Sequence, residues 1–326
     1  SFLAAYDNDP FNRWQAVQAL AMGLLLADAR GTKAEATRED LIAAMHEILQ
    51  DARLEPAFIA QSLSLPGEAD IAREIGSEID PDAIFKARLA LRTAIGQRLA
   101  ATLAETYGHM KNDGAYSPDA ASAGRRFLKN ACLDLLAADG NKDGIERAAK
   151  QYRAATNMTD RIAALGTLSL HNKPQREEAI EDFYRRYASD PLIIDKWFAL
   201  QAGIPEAGTL DRVRALTTHA AFSLSNPNRV RSLIGAFAQG NVTQFNRADG
   251  KGYDFVADTV LGLDEKNPQV AARLLSAFKS WRAMESTRRT LAEAALRRVA
   301  AVSNLSRDVN DIVQRSLAQS DDSASA

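Results

Sequence analysis

Asp9-Pro10-Phe11-Asn12-Arg13-Trp14-Gln15-Ala16-Val17-Gln18-Ala19-Leu20-Ala21-Met22-Gly23-Leu24 is the stretch whose reading decides the fold. Phe11, Trp14, Val17, Ala21 and Leu24 recur at three- and four-residue steps, the period of one face of an α-helix. Asp9 supplies an N-cap and Pro10 a first-turn proline, tolerated there because the first helical N–H has no intrahelical partner. The spacing returns in Phe85, Leu89, Ile95, Leu99 and Leu103, and again in Phe127, Leu128, Ala131, Cys132, Leu135 and Leu136. Val230, Leu233, Ile234 and Phe237 make a further stripe, and so do Leu305, Val309, Ile312, Val313 and Leu317. No segment alternates with period two in Val, Ile and Thr, so the pattern predicts an all-α protein.

Punctuation agrees with the periodicity. Pro10, Pro56, Pro81, Pro118, Pro174, Pro191, Pro205, Pro227 and Pro268 each stand at or near a helix start, often behind Asp, Ser or Asn. Helices of one to two dozen residues with short links pack as antiparallel pairs, and a series of such pairs makes a superhelical array. No strict repeat period is visible, so the repeats are degenerate. A single helical domain over residues 1–318 is predicted, followed by a small, polar and disordered tail, 319–326. The longest irregular stretch runs from Gly240 to Gly252.

Composition narrows the function classes. The 326 residues carry 40 Lys+Arg against 42 Asp+Glu, a formal charge of −2, which does not suit a nucleic-acid partner. The longest apolar run, Ala19 to Ala27, is about half the length of a membrane span. No secretory signal is visible, and the one cysteine, Cys132, excludes an internal disulfide and a Cys-rich zinc module. A cytoplasmic setting follows as an expectation. The chain opens at Ser1 without Met, as expected for a piece of a longer polypeptide.

Several motifs approach a known chemistry and stop short. His46-Glu47-Ile48-Leu49-Gln50 has Gln where the second histidine of H-E-x-x-H must stand. Asp139-Gly140-Asn141-Lys142-Asp143-Gly144 matches the first half of a calcium loop, but Lys150 occupies the place of its bidentate Glu. Asx and Gly residues in that order also build an ordinary helix–helix turn. Asp249-Gly250-Lys251-Gly252 evokes a phosphate loop, yet Phe245 replaces the earlier glycine and Gly252 the magnesium-binding hydroxyl, leaving a flexible loop. His109, His171 and His219 are isolated, Cys132 sits on an apolar stripe, and Trp14, Trp197 and Trp281 read as core. From the residues alone, no self-sufficient active site emerges.

Longer words carry a resemblance. They are Asp7-Asn8-Asp9-Pro10-Phe11-Asn12-Arg13-Trp14, Leu128-Lys129-Asn130-Ala131-Cys132-Leu133, Thr156-Asn157-Met158-Thr159-Asp160 and Asp195-Lys196-Trp197-Phe198. Ser225-Asn226-Pro227-Asn228-Arg229-Val230-Arg231-Ser232-Leu233-Ile234-Gly235-Ala236-Phe237 is the most telling. Asp249-Gly250, Gly252-Tyr253 and Asn267-Pro268-Gln269-Val270-Ala271-Ala272-Arg273 follow it. In this order they resemble the C-terminal helical domain of bacterial aminopeptidase N, the zinc-dependent alanyl aminopeptidase of the gluzincin class. The resemblance runs from about Asp7 to Ala318 and is weakest around Gly108 to Ala123.

It implies paired helices like degenerate armadillo or HEAT repeats, capping a chamber whose zinc lies in another domain. The H-E-x-x-H helix, its downstream Glu and the Gly-Ala-Met-Glu-Asn segment of the family are absent from this sequence. This chain therefore holds no cofactor of its own and is expected to be inactive alone. Its implied partners are the N-terminal and catalytic domains of the same enzyme and peptide substrates, with neither nucleic acid nor membrane. The resemblance gives Arg231 and Arg273 the role of facing the chamber and meeting the substrate's distal carboxylate or carbonyl groups; Arg229, across the stripe, is the weaker candidate. A guanidinium can grip a carboxylate through two parallel hydrogen bonds. Each arginine could instead pair with a carboxylate on an adjacent helix. The alternative for the whole chain is a stand-alone helical scaffold that binds a protein or peptide in a groove.

Overall fold

The structure, a computed structural model, describes residues 9–32, 34–111 and 114–318. Helix follows helix throughout, and the described residues form no strand beyond one isolated bridge between Ile79 and Met284. The fold is all-α, as the periodicity predicts.

Proline marks the starts. Pro10–Ala29, Pro56–Leu63, Pro81–Arg98, Pro174–Tyr187, Pro191–Ala202, Pro227–Val230 and Pro268–Leu275 all begin on it. The carboxylates of Asp9 and Asp190 and the amides of Asn226 and Asn267 cap four of these helices. Each cap accepts a hydrogen bond from an otherwise unpaired first-turn N–H. Pro118 and Pro205 stand slightly ahead of their helices, which begin at Ala120 and Thr209.

The chain divides into two compact units, one running to Ile75 and resuming over Asp82–Asp182, the other made of Gly76–Pro81 and Phe183 onward. In the first, consecutive helices pack in pairs: Pro10–Ala29 on Glu35–Gln50, Ala100–His109 on Ala120–Leu136, and Lys142–Ala154 on Met158–Ser169. In the second, Lys251–Asp264 packs on Pro268–Leu275 and Ser286–Ala300 on Arg307–Leu317. Val17, Ala21, Leu24, Leu103, Leu128 and Cys132 lie in the core of the first unit, and Leu233, Phe237, Val260 and Val313 in that of the second.

Some stripe members point outward. Leu89 is 36% exposed, and the buried face of its helix is Ile84, Ala87, Leu91 and Ile95. Six residues before Ile95, Leu89 lies about 120° around the helix from it, whereas Leu91, four before, nearly eclipses it. Phe127, five residues from buried Cys132, is about 140° away and 49% exposed by the same geometry. Phe11 is also exposed and rests its ring on half-buried Trp14 at 5.8 Å; Trp197 and Trp281 are buried as read.

The Gly240–Gly252 link is ordered and not a flexible loop. Val242–Phe245 forms a helical turn whose cap, Asn241, donates its amide to the carbonyls of Ala202 and Ile204 at 2.9 and 2.8 Å. Arg247 grips Asp249 through two bonds of 3.0 and 2.9 Å and reaches the Ala207 carbonyl at 2.7 Å. Its guanidinium holds the Asp249 carboxyl down at about 2. Gly250 takes a φ of 72°, a left-handed value that favours glycine, and the next helix starts at Lys251. The tail 319–326, read as disordered, lies outside the described residues, as do Asp7 and Asn8.

Candidate functional site

Arg231 and Arg273 lie in the second unit. Asn226 accepts from the N–H groups of Asn228 and Arg229 at 3.0 and 3.4 Å and launches the Pro227 helix. Val230, Leu233, Ile234 and Phe237 of the next turns are fully buried, which fixes the backbone and leaves Arg231 on the exposed side. At Arg231 the helix changes hydrogen-bond register: Arg231–Gly235 is a π-helical turn before the α-helix resumes over Ala236–Gly240. Such turns insert one residue into the i→i−4 ladder and recur at functional sites. Arg273 sits in the last turn of Pro268–Leu275, which Asn267 caps at Val270, with Ala271, Leu274 and Leu275 buried beneath it.

The two helices are neighbours: the Gln239 side chain donates to the Arg273 carbonyl at 3.3 Å. Arg231 precedes Gln239 by about two turns, about 12 Å along the axis. Arg231 donates to the Asn228 side chain at 2.7 Å, within its own helix start. Among the described residues neither Arg231 nor Arg273 meets a carboxylate, and both are exposed.

Arg229 takes the other course. It is 8% exposed and pairs with Asp195 on the Pro191 helix. It also donates to the carbonyls of Ala221 and Pro191, both at 2.9 Å, and lies over the Phe198 ring. Ser232 adds a hydroxyl to the same Asp195 oxygen at 3.0 Å. Beside this network, His219 packs against Tyr184 and Trp197 with ring centroids 4.9 and 5.2 Å apart, and its Nδ1 accepts from the Ala221 N–H. The segment leading into Arg231 is thus pinned at both its carbonyls and its aromatic side. Pairing with an adjacent-helix carboxylate describes Arg229 and not the two candidates.

The near-motifs have structural occupations. In the Asp139 loop, the carboxylate accepts from the Asn141 N–H at 3.1 Å and from Gln97 at 3.0 Å, while Asn141 caps Gly144 at 2.8 Å. Those oxygens are committed to the turn between helices. Gly144 is required there, because a Cβ would stand 2.5 Å from the Leu136 carbonyl. Gly252 serves close packing in the same way, a Cβ there falling 2.2 Å from the Phe245 carbonyl oxygen. Cys132 is fully buried, and burial pushes its thiol up to about 12, so it packs as a small hydrophobe with almost no thiolate at neutral pH. His46 is half-buried beside buried Met45 and exposed Glu47. Among the described residues no three His, Cys, Asp or Glu side chains converge as a metal-binding group, and no helix is long and apolar enough to cross a membrane.

Consecutive helix pairs, degenerate in sequence and bearing exposed arginines on a rigid frame, define a helical-repeat domain. Residues 1–318 match the family described as "Domain of unknown function (DUF3458_C) ARM repeats". The chain belongs to that family. It is 40% identical over 311 residues to aminopeptidase N of Caulobacter vibrioides, covering 95% of this chain and 36% of that protein. With aminopeptidase N of Escherichia coli it shares 34% identity over 321 residues, 98% of this chain and 37% of the relative. A crystal structure of Legionella pneumophila aminopeptidase A in complex with aspartic acid superposes with a TM-score of 0.86 at 26% identity, over 97% of this chain and 38% of that one. The chain therefore spans a little over a third of the length of these relatives, and it aligns with the C-terminal part of aminopeptidase N. The resemblance read from the sequence words is borne out.

Proposed function

We propose that residues 1–318 form the non-catalytic C-terminal domain of a zinc aminopeptidase N. The domain closes the chamber over the active site, limits which substrates enter, and holds the distal part of a peptide while another domain removes the N-terminal residue. The observation that carries this reading is a contrast among three arginines: Arg229 is buried and paired, while Arg231, two residues on, and Arg273, on the Pro268 helix, are exposed and meet no carboxylate among the described residues. Exposed guanidinium groups not committed to a carboxylate suit transient binding of a peptide carboxylate or carbonyl, because no internal ion pair has to break to make the contact. Zinc, bound elsewhere in the whole enzyme, would supply a metal-activated water for amide cleavage. The described residues of this chain do not fit a zinc site, so they are assigned walls, entry and substrate contact. The large share of the relatives that lies outside this chain favours this reading over a stand-alone scaffold. A cytoplasmic setting suits the lone buried thiol.

The test places Arg231→Ala and Arg273→Ala in the whole aminopeptidase. KM for a tetrapeptide or longer substrate is expected to rise about 10-fold or more, the loss of a charged hydrogen bond, while that for alanine p-nitroanilide stays within about twofold. Equal effects on both substrates would assign the arginines to structure and overturn the proposal.

A further inference from the structure

The first unit holds a concave feature that neither Arg231 nor Arg273 lines. Helices Ala100–His109, Ala120–Leu136 and Lys142–Ala154, with Lys111, residues 114–116 and the turn after Ala154, line an open cleft of about 740 Å³. That is the size of a pocket for a small organic molecule. One wall is a fixed polar network. Lys129 pairs with Asp160 at 2.5 Å, Asn130 and Asn157 each donate to the same carboxylate at 3.1 Å, and Gln151 bridges Asn130 and the Tyr107 hydroxyl at 2.7 and 3.0 Å. Lys129 and Asp160 thereby neutralise each other.

The remaining charge is unbalanced. Among the described residues Lys111, Arg126, Arg147 and Lys150 also line the cavity, with Asp143 and Glu146 as the other charged groups. None of these four cations has an ion pair among the described residues, whose lining side chains carry an excess of two positive charges in a chain whose formal charge is −2. Arg126 is the sharpest case. It is 6% exposed, and one amino group donates to the Ser117 carbonyl at 2.9 Å. Among the described residues its Nε has no hydrogen-bond partner and no carboxylate meets the guanidinium. A buried cation without a counter-ion and with an unsatisfied N–H is costly, and native proteins retain such groups where something else completes them. Two aromatic faces are set beside the cations: Tyr116 lies 4.8 Å from the Arg126 guanidinium and Tyr107 5.2 Å from that of Arg147.

We propose that this cavity binds a small dianionic ligand, a dicarboxylate or a phosphate monoester, through Arg126, Arg147 and Lys150 beside the Tyr107 and Tyr116 rings. Guanidinium forks match both oxyanions, and two negative charges match the excess. The rings give an organic body a surface to lie on. The site does not depend on the aminopeptidase reading.

The experiment is a thermal-shift and calorimetric titration of the full chain at low salt with succinate, inorganic phosphate and acetate. At about 10 mM, at least one dianion is expected to raise Tm by about 3–5 °C, with acetate binding at least about tenfold more weakly. Succinate alone identifies a dicarboxylate site, phosphate alone a phosphate-ester site, and both a site for either dianion. Arg147→Gln and Lys150→Gln, at half-buried and exposed positions, should keep the helical circular-dichroism spectrum and weaken binding about tenfold each. Arg126→Gln should abolish it; if that variant does not fold, the other two decide. No response to either dianion, or binding unchanged in both Arg147→Gln and Lys150→Gln, would overturn the proposal.

Discussion

Arg229→Ala is expected to lower the unfolding free energy by about 3–5 kcal/mol in urea titrations, while Arg231→Ala, two residues on, changes it by no more than about 0.5 kcal/mol. The difference comes from what each guanidinium leaves behind. Among the described residues, removing Arg229 leaves the Asp195 carboxylate, four-fifths buried, with the Ser232 hydroxyl alone, and frees the Ala221 and Pro191 carbonyls. A charge left unpaired in low dielectric costs more than the intact pair contributes, which is why truncating one partner is the damaging change. Arg231 has only the Asn228 amide to lose and is already solvated. Comparable losses in both variants would mean that Arg231 is also structural, and the peptide-holding role would fail with it.

The second large effect is at Gly252, where Gly252→Ala is expected to cost about 3 kcal/mol or more. Its Cβ would fall 2.2 Å from the Phe245 carbonyl oxygen and 2.5 Å from that of Gln244. Both are backbone atoms, held by the Asn241 cap and by Asn246, which accepts from the buried Tyr253 hydroxyl at 2.8 Å, so neither can swing aside as a side-chain end would. Gly262 provides the control within the same helix, Lys251–Asp264: a Cβ there meets nothing within 4 Å. Gly262→Ala should be stabilising by about 0.5–1 kcal/mol through helix propensity alone. Matching urea midpoints for the two variants would show that the Gly240–Gly252 link is loose and the packing argument wrong.

These positions also show what a sequence discloses. The helix starts were legible because their signals are local: Asp9, Asp190, Asn226 and Asn267 each stand directly before a proline and cap within three residues. The stripes were legible where burial is broad and failed at Leu89 and Phe127, where apolar residues continue past the edge of the packed face. At Gly252 the expectation of a flexible loop fails because glycine marks flexibility and close backbone approach alike, and only the neighbouring carbonyls tell them apart. The Arg229–Asp195 pair spans 34 residues and leaves no mark in local spacing. The π-helical turn at Arg231–Gly235 has no residue signature in the stripe that contains it. Arg231 and Arg273 entered through the family resemblance, and the structure adds the reason they differ from Arg229. Arg147 and Lys150, three residues apart, share a helix face, but nothing local joins them to Arg126, which a second helix brings to the cavity.

The most direct test of the central claim, that this chain provides walls and substrate contacts for chemistry performed elsewhere, is hydrolysis of alanine p-nitroanilide by the chain alone after rigorous purification, with and without added zinc. No turnover above buffer is expected in either condition, with activity restored only when the chain is part of the whole enzyme. Turnover that copurifies with the isolated chain and is abolished by chelation would contradict it.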